Sequence, residues 1–150
     1  MEIIYRAQEE FLEHYQSFFE EQRLPFAYHP FMLKYHQLIA KPYFDASFLI
    51  VENKKCVGIC YCPIYEVEGK KTISNNGGYT LAPFATNERI YKEIFSRIDE
   101  IALQHHCVAI KFYQDAFSIL SLQNHTPPPP PYQKVQIETL GSIFPIISYF

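Results

Sequence analysis

The stretch TNERIYKEIFSRIDEIALQHHCVAIKFY, residues 86–113, limits the fold more than any other part of the chain. Ile90, Ile94, Ile98 and Ile101 recur at helical spacing, with Phe95 and Ala102 beside them. Such a stripe makes one face of a helix apolar and commits it to a neighbouring surface. Thr86 or Asn87 supplies an N-cap side chain that accepts from the free N–H groups of the first turn. CVAIKFY then changes period and reads as a buried strand. A helix leading into a buried strand predicts a crossover onto a sheet.

The residues before it show what that sheet is made of. Glu2 to Tyr5 reads as a short strand, and AQEEFLEHYQSFFEEQ places Phe11, Tyr15 and Phe18 on one helical stripe. HPFMLKYHQLIAK predicts a second, shorter helix with Pro30 in its first turn. After Pro42 the pattern becomes that of strands. ASFLIVEN is one, Cys56–Tyr65 another, and the glycine turn in EVEGKK joins the latter to Lys70–Ser74 as a hairpin. Helices, a meander and a crossover together predict an α/β (α+β) domain with a mixed, mostly antiparallel sheet flanked by helices.

Composition narrows the function. The chain has 150 residues, 48% of them hydrophobic, and a net charge of −3 without a basic block. That predicts a folded domain and argues against nucleic-acid binding, DNA included. No stretch has the length of a membrane span, and the acidic N-terminus is unlike a signal peptide, so the expected location is cytoplasmic. Cys56, Cys60, Cys62 and Cys107 lack disulfide spacing and read as reduced core thiols. His105, His106 and Cys107 invite a zinc reading, but no paired ligand spacing accompanies them, and no metal is expected.

SNNGGYTLAPF, residues 74–84, raises the functional question. Asn75, Asn76, Gly77 and Gly78 fit a surface turn nearly as well as backbone opened for a substrate, and residues Asn75–Tyr79 are read as lining a concave, substrate-binding surface. Tyr79 either lines the same cleft or packs beneath it. At the end of CVAIKFY, Tyr113, Gln114 and Asp115 are candidates because ligands gather at the carboxyl ends of strands. Asp115 is the candidate general base.

PFAYHPFMLKYH, SFLIVENKKCVGICYCPIYEVEGKK, NNGGYTLAPFA and IYKEIFSRIDEIALQHHCVAIKFY follow one another in an order that resembles the N-terminal half of Fem-type (FemAB-like) acyltransferases, of the GNAT N-acyltransferase superfamily. The resemblance covers Pro25 to Gln114. It implies a GNAT-like half domain and transfer of an acetyl or aminoacyl group to an amine on a cell-wall or amino-sugar precursor. The implied donor is acyl-CoA or aminoacyl-tRNA, and the implied partner is a second GNAT-like half or another copy of the chain. Asn75–Tyr79 would face the cleft between halves. The Gln/Arg-x-x-Gly-x-Gly/Ala loop of acetyl-CoA binders is not found, which favours the alternative, a non-catalytic binding or interaction module completed by a second chain.

Residues 1–126 are accordingly read as the half domain, and 127–150 as a polyproline connector and terminal segment. The five prolines of TPPPPPY make a stiff rod of about 15 Å. They also require consecutive C-starting codons, so a truncated or frame-shifted end is an expectation that the coding DNA settles. An SH3-type ligand is a further reading of the same prolines.

Overall fold

The computed structural model describes residues 1–113 and two later strands, 135–140 and 144–149; side chains are described through residue 112. The order is β1 (Glu2–Tyr5), α1 (Phe11–Gln22), α2 (Pro30–Ile39), β2 (Phe44–Asp45), β3 (Phe48–Glu52), β4 (Lys55–Cys60), β5 (Pro63–Val67), β6 (Lys70–Ile73), β7 (Thr80–Leu81), β8 (Phe84–Ala85), α3 (Glu88–Gln104), β9 (Cys107–Tyr113), β10 (Val135–Leu140) and β11 (Phe144–Tyr149). This is a mixed α/β domain, mostly antiparallel, as the pattern predicts.

The expected single sheet is two. One runs β1-β3-β4-β8 and the other β10-β11-β9-β6-β5-β2, with β7 also on β9. The predicted strand Cys56–Tyr65 therefore divides: β4 pairs with β3, and β5 pairs with β6. Alternation marks which residues lie in strands and says nothing about which partner each half takes. Besides the passages through the helices, three short connections, Ala46–Ser47, Tyr61–Cys62 and Ala82–Pro83, carry the chain directly from one sheet to the other. The first two are tied together. Ala46 N–H donates to the Cys62 carbonyl at 3.1 Å, and Cys62 N–H donates to Ser47 Oγ at 3.0 Å.

The crossover is present: β6 and β9 pair in parallel, and α3 lies between them in sequence. Asn87 caps α3, its Oδ1 accepting from Ile90 N–H at 3.1 Å. Ile90, Ile94, Ile98 and Ile101 are all buried and share one core with Ile110 and Phe112 of β9. Fully burying each such side chain contributes about 1.5–3 kcal/mol. Gly58 lets β4 approach this helix, since a Cβ there would sit 2.7 Å from Ile90 Cγ2.

Strand β3 is buried on both faces. Phe48 and Ile50 join the α3 core, whereas Leu49 and Val51 join a second core with Phe11, Tyr15 and Phe18 of α1. The result is three layers, α1, the β1-β3-β4-β8 sheet, and α3. Within the segment read as terminal, β11 pairs with both β10 and β9. The prolines 127–131, Gln114 and Asp115 lie outside the described residues.

Candidate functional site

A pocket of about 150 Å³ opens where the sheets part, lined by His36, Tyr61, Asn75, Tyr79, Thr80 and Leu81. Three elements build it. Tyr61 comes from the β4–β5 crossing, Thr80 and Leu81 form β7, and His36 projects from α2. Thr80 Oγ1 donates to the Tyr61 carbonyl at 3.4 Å, holding the first two together.

The Asn-Gly segment shapes the rim. Asn75 and Gly78 exchange both backbone hydrogen bonds, at 3.1 and 2.9 Å. Between them Asn76 has φ +50° and Gly77 φ +83°. Positive φ at both central residues defines a two-residue hairpin turn for which Asn-Gly is the preferred pair. The expectation that all of Asn75–Tyr79 line a concave surface thus divides residue by residue. Asn75 and Tyr79 line the pocket, while Asn76 and Gly78 are exposed on the turn. Gly77 is half-buried and its carbonyl accepts from Lys111 Nζ at 2.8 Å. Tyr113 is in register with Leu81, so the carboxyl end of β9 runs beside the pocket wall.

Sequence reasoning did not find His36 or Tyr61. His36 Nδ1 lies 3.1 Å from Asn75 Nδ2. A carboxamide nitrogen only donates, so Nδ1 accepts and the ring proton sits on Nε2. Burial holds the imidazole below its ordinary pKa, which keeps it neutral near pH 7. The Tyr61 ring lies 6.3 Å from that of His36. Tyr61 is 5% exposed, and its hydroxyl is buried with no hydrogen-bond partner among the described residues. Burial first, then the nearby Asp45 carboxylate, pushes the Tyr61 phenol above its usual range, so it stays protonated.

Behind the pocket runs a polar network. Asp45 accepts from Ser47 N–H at 3.0 Å and from Gln37, and pairs with Arg6 at 3.4 Å. Arg6 Nη1 is likewise buried without a partner. The side chain of Arg6 lies over the Phe11 ring, 5.5 Å from its centroid.

A larger hollow of about 520 Å³ lies between β2 and α3, bounded by Tyr5, Phe44, Arg97 and His105 among others. Its cation among the described residues is engaged: Arg97 donates to the Tyr5 hydroxyl and to Glu100. Phe44 and His105 stack there at 4.8 Å. The smaller pocket, on which polar groups of His36, Asn75 and Thr80 converge and whose wall includes Tyr61, is the better candidate site.

The four cysteines are buried and form no disulfide. Burial pushes the Cys56 thiol up to about 12 and that of Cys107 to about 11, so neither is a nucleophile near neutral pH. Among the described residues no helix is long and apolar enough to cross a membrane. No protein-family model, curated protein or solved structure matches this chain.

Proposed function

We propose that this chain is an N-acyltransferase of the Fem/GNAT type, or the amino-terminal half of one, and that the pocket at the sheet crossings receives the reacting groups. The donor is acyl-CoA or aminoacyl-tRNA, and the acceptor is an amine on a cell-wall or amino-sugar precursor. One observation carries the reading: Tyr61 lines the pocket, and its hydroxyl is a buried, protonated donor with no partner among the described residues. Acyl transfer to an amine develops negative charge on a carbonyl oxygen, and a fixed donor in a site shielded from water stabilises it. Asn75 Oδ1 supplies an acceptor for the attacking amine, and His36 Nε2–H a second donor.

Calorimetry with acetyl-CoA and with a charged tRNA tests this. Binding that weakens at least tenfold in Tyr61→Phe supports it. Failure of both donors to bind at millimolar or solubility-limited concentration refutes it.

A second reading, a non-catalytic binding module completed by another chain, draws on a different observation. Among the described residues the pocket has no carboxylate, and His36 Nδ1 is already occupied by Asn75. Binding of a polar ligand without turnover, in the chain joined to its second half, would favour this reading.

A further inference from the structure

Helix α2 turns its polar side inward. His36 meets Asn75, and Gln37 donates to Asp45 and accepts from Arg6 Nη2 at 3.2 Å. Leu33 is the one residue of this helix that is buried. On the opposite side Phe31, Tyr35 and Leu38 follow one another at helical spacing and are 59%, 45% and 77% exposed. Ile39 beside them is 63% exposed, and Phe26, on the turn just before the helix, 67%. The Phe31 and Tyr35 rings stack at 6.4 Å, so the stripe is continuous rather than scattered. Side chains of this size, about half to three-quarters exposed, leave on the order of 100 Å² each and roughly 500 Å² together. Apolar surface of that extent marks an interaction site.

We propose that this stripe is a homodimer interface, in which a second copy of the chain lays its own α2 across it about a two-fold axis. Two copies pairing through it remove about 1,000 Å² from water, the lower limit for a specific association. A two-fold contact uses one patch on both partners, so the patch must tolerate itself. This one does. Helix α2 carries no carboxylate, and its single lysine, Lys34, lies at the edge of the stripe and stays at the rim. A lipid surface fits less well. Adsorption to anionic headgroups draws on clusters of basic residues, and this helix has one lysine in a chain of net charge −3. The inference is independent of acyl transfer, although the interface borders the pocket: the rings of Tyr35 and His36 are 6.0 Å apart.

Sedimentation equilibrium of the full chain from about 1 to 300 μM tests it. The expected result is a reversible monomer–dimer equilibrium with a dissociation constant in the micromolar range. Leu38→Lys and Phe31→Ser, both at exposed positions, should weaken it at least tenfold each while leaving the circular dichroism spectrum and melting curve unchanged. A monomer throughout that range overturns the proposal, as does a dimer indifferent to both variants. Vesicles of phosphatidylcholine with phosphatidylglycerol, tested by flotation, separate the alternative: a monomeric chain that floats with them through Phe31 and Leu38 has a membrane-facing stripe instead.

Discussion

The imidazole of His36 and the carboxamide of Asn75 meet at 3.1 Å across 39 residues of sequence, tying α2 to the turn that follows β6. The backbone bonds of that turn fix where Asn75 points, and the bond to His36 then fixes the ring.

Asn75→Ala removes this tie. A net loss of about 1 kcal/mol in stability is expected, the usual value for one hydrogen bond, with weaker ligand binding. Asn76→Ala strains a left-handed residue by roughly 1–2 kcal/mol but should leave binding intact, because its side chain is exposed. Urea melts and calorimetry on both variants separate the effects. Equal loss of affinity in the two would remove the pocket assignment.

Tyr61→Phe deletes a buried hydroxyl that has no partner among the described residues. Stability should hold or rise by up to about 1–3 kcal/mol, since an unsatisfied buried polar group is a standing cost. Binding should fall at the same time. Thermal melting that drops by several degrees would mean the hydroxyl is bonded within the fold.

Gly58→Ala drives a methyl group to 2.7 Å from Ile90 Cγ2 and 3.0 Å from Ile94 Cδ1. Overpacking of this kind costs about 1–3 kcal/mol. Ile94→Val takes away the second contact, so in a double-mutant cycle it should recover part of the loss. Additive effects would show that the helix simply shifts away.

The pH dependence follows from His36, whose pKa is lowered by burial when folded. The unfolded chain then binds its proton at higher pH than the folded one, so this histidine destabilises the fold in acid. Stability from this source is complete above the ordinary histidine pKa of about 6.5 and declines as pH falls from there towards the lower folded value. Urea midpoints at pH 7.5 and 5.5 measure it. In His36→Gln the drop should shrink but persist, because His105 is also held below its ordinary pKa, by burial, then Lys71 and His106.

Some of this was legible in the residues and some was not. The stripe of Ile90, Ile94, Ile98 and Ile101 carries its own period, and an amphipathic helix must lie on whatever apolar surface is present. Asn-Gly prefers a two-residue turn for local steric reasons, which made residues 75–78 visible as a turn. What escaped was non-local. The place of Tyr61 is decided by where the chain leaves one sheet for the other, and alternation is silent on that. His36 escaped because α2 is apolar on the side away from the core, so reading its apolar face as the buried one hides the residues that turn inward.

The three short connections between sheets bear on how the protein comes apart. Neither sheet holds a complete stretch of chain between Phe44 and Ala85, because β2, β4 and β7 each hand the backbone to the other sheet. Helix α3 further seals both, with Phe48 and Ile50 of one sheet and Ile110 and Phe112 of the other in a single core. Opening one sheet therefore pulls on residues of the other, and the two share one cooperative unit. In native-state hydrogen exchange the amides of Ile50 and Ile110 would lose protection at the same free energy, as if one sheet's breathing were always the other's.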